Sequence, residues 1–435
     1  MKLQLAFASA LLLASTAHAD EPENWNIKLQ TTYIRQAQAS FSSPYQGEHS
    51  LTPDSAYSYS WTATAALGLR LAPQTELYVN PEVAQGVPLS NLQGLGGFTN
   101  GEMARTSGSS PKLYRARVFV RQVIGLSEDT TPVESGVNQL AGNLPNERLV
   151  ITAGNLSVLD IFDANAYSHD PRSQFMNWTL MTHGAYDYAA DSRGYTWGLA
   201  AEYTTGDWSL RAGRFIQPKE PNQLKLDRQM VRHHGDQVEI EHRHELDGGL
   251  PGAVRVLAFK NRARMSRYDD ALDLAAQTGQ ALDLNAVRTG DHDKVGLGVN
   301  LEQKLTRDVG LFARAMWADG KTETYAFTEV DRSVSGGVSI DGTRWGRAED
   351  TLGLALARNA LSGSHQKVLA AGGLTFFLGD GALRYRSEQV FEAYYRARIT
   401  KGLELSADHQ RIWNPGYNAD RGPVSFWALR VHAEY

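Results

Sequence analysis

The chain has 435 residues, with 43 Lys and Arg against 48 Asp and Glu, and its formal charge of −5 argues against a nucleic-acid partner. There is no cysteine, which excludes a disulfide framework and thiolate metal sites. Mean hydropathy is −0.38, and past the first residues no long uncharged apolar run occurs, so no transmembrane helix is predicted.

In chain order, Lys2, an apolar stretch over residues 5–14 and Ala17-His18-Ala19 before Asp20 have the form of a secretory signal peptide. Residues 1–19 are expected to be cleaved and 20–435 to form one domain. The next elements alternate. Ile27, Leu29, Thr31 and Tyr33 oppose Asn26, Lys28, Gln30 and Thr32. Over residues 57–71, Tyr57, Tyr59, Trp61, Ala63, Ala65, Leu67, Leu69 and Leu71 share one face, with Ser58, Ser60, Thr62 and Thr64 on the other. A period of two gives a strand one apolar and one polar wall, and this run exceeds the ~9–11 residues that cross a bilayer as a tilted strand.

In the strand over residues 114–122, Arg115, Arg117 and Arg121 share a face with Phe119, while Tyr114, Ala116, Val118 and Val120 face the other way. Charge on lipid is costly, so the arginines are predicted to point into a lumen. Residues 160–187 are polar, aromatic and too irregular for a strand. Their candidate residues are Asp160, Asp163, Asp170, Arg172, Asn177, Trp178 and Asp187. A loop here that folds back into a barrel would narrow the pore, and its acids would face the arginine strand across a transverse field. The same residues could instead brace the loop.

Alternation resumes at Trp197, Leu199, Ala201 and Tyr203, turns at Thr205-Gly206-Asp207, and continues with Trp208, Leu210 and Ala212. His233, His234, Asp236, His242 and His244 form a histidine-rich patch. His242 and His244 share a strand face, yet spacing places no third ligand, so no metal site is predicted. Val254, Val256 and Ala258 oppose Arg255, Leu257 and Phe259, which is ambiguous, and strand boundaries over 224–293 stay open. Clear alternation returns from Val295 to Leu301, Leu311 to Trp317, Leu352 to Leu356, Ala393 to Ile399 and Leu403 to Ala407. The last strand puts Trp427, Leu429, Val431, Ala433 and Tyr435 on one face. Short turns alternate with long polar stretches at 86–110, 125–147 and 269–293, as periplasmic turns and outer loops would. No nucleophile elbow appears, and neither a catalytic residue nor a cofactor is predicted.

Several segments resemble the carbohydrate-selective porins of Gram-negative outer membranes, the OprB family. They include Gly97-Phe98-Thr99-Asn100-Gly101-Glu102, Asn80-Pro81-Glu82 and Asp160-Ile161-Phe162-Asp163. Asp170-Pro171-Arg172-Ser173-Gln174-Phe175-Met176-Asn177-Trp178 is the core of the longest stretch, and Asn414-Pro415-Gly416-Tyr417 precedes the terminal strand. Tyr435 stands where the family would be expected to end on Phe. The resemblance implies an all-β transmembrane antiparallel barrel of about 16 strands, with long extracellular loops and an inward-folded constriction loop. It also implies passive diffusion of mono- and short oligosaccharides across the bacterial outer membrane. The expected partners are saccharides in transit, outer-membrane lipid and lipopolysaccharide, with no nucleic acid; monomers and homo-oligomers both stay open. The alternatives are a general or anion-preferring porin, a barrel enzyme, and a structural or adhesive barrel.

Overall fold

The computed structural model describes residues 22–103 and 108–435, so the expected signal peptide lies outside the described residues. Strands β1 (Trp25–Gln38), β2 (Ala56–Ala72), β3 (Thr75–Val87) and β4 (Lys112–Gly125) come first. A small hairpin, β5 (Thr130–Val133) and β6 (Gly142–Pro145), follows, then β7 (Arg148–Leu156), β8 (Thr196–Thr205) and β9 (Trp208–Ile216). Next are β10 (His234–Leu246), β11 (Leu250–Arg264), β12 (Asp291–Thr306), β13 (Val309–Ala318) and β14 (Arg332–Asp341). β15 (Thr351–Ala360), β16 (Glu388–Thr400), β17 (Leu403–Trp413) and β18 (Val424–Glu434) complete the series. All but β5 and β6 form one closed barrel of 16 antiparallel strands, shut by β1 against β18 from Gln30–Glu434 to Gln38–Phe426. Among the described residues, no helix is long and apolar enough to cross a membrane.

The alternation read in the sequence is the alternation of the wall. On β18, Trp427, Leu429 and Val431 are 59%, 65% and 40% exposed, whereas Ala428 and Arg430 between them are 5% and 1% exposed. The exposed apolar face is the one a barrel turns to lipid. The buried polar face meets protein, because residues 157–195, between β7 and β8, fill much of the lumen. Wall glycines make room for them. A Cβ on Gly310 would stand 2.0 Å from the Tyr167 ring, and one on Gly298 would stand 2.9 Å from the His183 ring.

The same filling explains the ambiguous strand. On β11 the inward Leu257 and Phe259 are buried in one cluster with Tyr186 of the loop, so both faces of β11 are apolar, one toward lipid and one toward the loop. Residues 125–147, expected among the outer loops, lie at the opposite end. β4 descends from Lys112 to Gly125, so whatever follows it emerges beside the tight turn between β2 and β3. This segment is a hairpin whose tip rises into the barrel. Leu140 is fully buried in the cluster of Tyr78 and Phe119, and Asn26 Nδ2 donates to the Gln139 carbonyl at 2.9 Å.

Candidate functional site

One wall of the candidate opening comes from β3 and β4, and a bulge sets its chemistry. Pro81 has no N–H to offer the ladder. Opposite it the register slips: Asn80 pairs with Arg117 but Pro81 with Arg115, leaving Ala116 as the extra residue. A one-residue bulge inverts the parity of everything beyond it. Arg117 stays inside, while Tyr114 turns inward and Arg115 outward. The lumen position predicted for Arg115 is therefore corrected. Its guanidinium lies 5.2 Å from the ring of Trp197, on the outward face of β8.

Arg117 faces the loop. Its Nε and Nη2 donate to the two oxygens of Asp160 at 2.7 and 2.6 Å, the bidentate geometry that holds carboxylate and guanidinium most firmly. Asp160 is fixed in turn by the Ser157 amide at 3.0 Å. Across the opening, Arg172 donates through Nε to Glu102 at 2.7 Å and through Nη2 to Glu82 at 3.3 Å. Glu102 and Glu82 also accept from Thr62 and Thr64 of β2, each at 2.6 Å. Tyr114 and Tyr195 both donate to Glu82, the latter at 3.3 Å. The Arg117 guanidinium sits 5.2 Å from the Tyr195 ring, and that of Arg193 sits 4.4 Å from the Tyr114 ring. Asp170 also lines the opening, accepting from the Arg172 amide at 2.9 Å and the Ser173 hydroxyl at 2.8 Å. These groups surround a cavity of about 280 Å³, with Trp178 at its edge stacked on Phe327 at 4.6 Å. Burial acts to lower the Arg172 pKa, but Glu102 and Glu82 beside it hold it above the ordinary guanidinium value. Burial acts to raise Asp170, and Arg172 pulls it below the usual carboxylate range.

The other predicted residues hold the loop in place. Asp163 is fully buried and accepts from Arg314 Nε at 3.0 Å, Asn300 Nδ2 at 2.6 Å and Thr182 Oγ1 at 2.7 Å. Burial would raise its pKa, yet Arg314 and His183 hold it well below the usual range. Asp187 accepts from the amides of Tyr325 at 3.0 Å and Ala326 at 2.7 Å and pairs with Lys294 at 3.1 Å. Asn177 caps a one-turn helix (Trp178–Met181) and donates to Gln410 of β17 at 3.0 Å. Glu392 of β16 receives the amides of Met176 and Asn177, and Arg430 of β18 donates to the carbonyls of Pro171 and Gln174. Arg121 faces the lumen but not the opening. Four residues of strand, roughly 13 Å, put it lower than Arg117, where it donates to the Asn138 carbonyl of the hairpin tip at 2.9 Å.

Of the predicted set, the structure brings Arg117, Asp160, Asp170, Arg172 and Trp178 to one opening. Asp163, Asn177 and Asp187 fall behind it, and Arg115 and Arg121 fall elsewhere on β4. Sequence reasoning missed Glu82, Glu102, Tyr114, Arg193 and Tyr195. The signal for Tyr114 was Pro81, whose missing donor predicts a bulge, but the partner strand is not visible in sequence.

The model of the family described as "Carbohydrate-selective porin, OprB family" matches residues 48–435. The chain belongs to that family. It is an outer-membrane diffusion channel for carbohydrates. A high-pH structure of OprB from Pseudomonas putida is similar over 95% of this porin and 94% of its own chain, with 17% identity and a TM-score of 0.72. A low-pH structure of the same protein covers 95% of this porin and 93% of its own chain, with 13% identity and a TM-score of 0.50. At such identities these likenesses bear on the fold alone. A comparison with curated proteins returned no match.

Proposed function

We propose that the opening between the Arg117–Asp160 and Arg172–Glu102 pairs is a sugar eyelet that passes mono- and short oligosaccharides one at a time, down their gradient. The observation that carries this is pairing of charge. Arg117 and Arg172 at the opening each hold a carboxylate, so a neutral solute meets donors and acceptors already set against one another. The phenols of Tyr114 and Tyr195 lie between them. A hexose presents that complement: hydroxyls for the charged pairs and C–H faces for the rings. Each contact must stay weak, because a tight site stops flux. A general anion porin would call for arginines without partners at the eyelet, which is not the arrangement found. Liposome swelling tests the proposal. Hexoses are expected to enter fastest and rates to fall steeply from disaccharide to trisaccharide. Equal rates across that series would refute a sugar-sized eyelet.

A further inference from the structure

The barrel wall has a gap at the outer end of β4. β4 pairs with β7 only from Val118–Asn155 downward, since β7 ends at Leu156 and the chain then enters the lumen. Above that rung, the side chain of Asn155 closes the ladder by donating to the Ala116 carbonyl at 2.7 Å, and among the described residues, 112–117 form strand pairs with β3 alone. A second cavity, of about 680 Å³, occupies the gap. Both faces of the wall line it: inward Tyr114 and Tyr195, outward Arg115 and Trp197. Only a break in the wall allows that. The cavity shares Tyr114, Arg193 and Tyr195 with the eyelet, so the two are adjoining rooms.

Their charges differ. Each carboxylate of the eyelet faces a guanidinium or a hydroxyl, whereas the wall-gap cavity adds Lys219, Lys225 and Arg228 from the loop after β9 to Arg115 and Arg193. Its acids are Asp191 and Asp227, and both are engaged. Asp191 accepts from the amides of Arg193 at 2.9 Å and Tyr195 at 3.2 Å. Asp227 accepts from the Gln229 amide at 3.1 Å and lies 2.7 Å from His233 Nδ1. Among the described residues, no carboxylate lies within ion-pair distance of Arg115, Lys219, Lys225 or Arg228.

We propose that this wall-gap cavity is an antechamber for anionic monosaccharides, sugar acids or sugar phosphates, which it gathers and hands to the eyelet. The inference rests on the reading of the eyelet as a sugar path and adds a substrate class to it. Lys219, Lys225 and Arg228 supply the attraction, and Trp197 and Tyr195 offer rings for the sugar face. Because the eyelet is nearly compensated, the preference for anions arises in the antechamber, as steering that salt screens.

The test measures flux of glucose, glucuronate and glucose 6-phosphate into vesicles of zwitterionic lipid, for the wild type and for K219Q/K225Q/R228Q. These three residues are exposed loop positions, and the variant is expected to keep the barrel and eyelet. The Debye length falls from about 30 Å at about 0.01 M salt to about 3 Å at about 1 M. At low salt the anion-to-glucose flux ratio is expected to fall about tenfold in the variant, to the value the wild type shows at high salt. A fall for one anion only identifies whether carboxylate or phosphate is the ligand. An unchanged ratio with glucose still passing overturns the antechamber alone. A ratio that responds only in vesicles containing lipopolysaccharide overturns it in favour of a lipid-phosphate contact. Wild type that passes no sugar overturns the eyelet reading and the antechamber with it.

Discussion

The constriction loop has two sides built from the same residue types. On the front, Asp160 and Arg117 form a pair whose side chains are 27% and 16% exposed to the lumen. On the rear, Asp163 and Arg314 form a pair that is 0% and 1% exposed. Two residues of chain separate the two aspartates. The front pair can exchange one partner for a solute hydroxyl at little cost, since water already reaches it. The rear pair cannot, because a buried charge that loses its partner has nothing to replace it. Burial therefore decides which acid a solute can reach and which acid anchors the loop, although both lie on one loop and both hold an arginine.

The strongest way to break this contrast is Asp163→Ala. It leaves Arg314 uncompensated and frees the Thr182 and His183 contacts, with an expected loss of about 3–5 kcal/mol. Thermal or denaturant unfolding in detergent would register that loss, and single channels would become larger and noisier as the rear of the loop detaches.

Acid should act on the same side. Burial, set against Asp163 and reinforced by Arg314, pushes the His183 imidazole down to about 4, whereas in an unfolded chain it titrates near 6.5. A histidine depressed in the folded state contributes stability that is complete above about pH 6.5 and is lost as pH falls toward about 4. The contribution is on the order of 3 kcal/mol. Unfolding midpoints measured across that window should drop for the wild type and change much less for His183→Asn. Equal pH slopes for the two would show that His183 does not carry the effect.

Arg117→Ala tests the front. It should cost less stability than Asp163→Ala, because water already reaches the Arg117–Asp160 pair, while removing most of the hold on sugar, seen as weaker block of ion current by glucose. Arg121→Gln should do least. It loosens the hairpin tip at Asn138 and leaves glucose block near the wild-type value, because it sits below the eyelet. If Arg121→Gln abolished block and Arg117→Ala did not, the narrowest point would lie at the hairpin.

Much of the barrel is legible in the sequence because each strand separates two environments, and period two records both. Trp427, Leu429 and Val431 face one way and Arg430 the other. Legibility fails where that condition fails. β11 is apolar on both faces because Leu257 and Phe259 meet the loop instead of water. On β14, Gly336 and Gly337 interrupt the pattern. The placement of residues 125–147 follows from the direction of β4, not from the polarity of the segment. Arg115 was misplaced because its parity depends on Pro81, which lies on another strand. Within the loop, sequence offers the aspartates but not their burial. Burial comes from contacts with β12, β13 and β16–β18, all more than 100 residues away in the chain.

The most direct test is single-channel conductance in a planar bilayer, titrated with glucose, for the wild type and Arg117→Ala. A sugar eyelet framed by compensated arginines predicts a small conductance that glucose reduces saturably in the wild type and only weakly in the variant. A large conductance indifferent to glucose in both would contradict it.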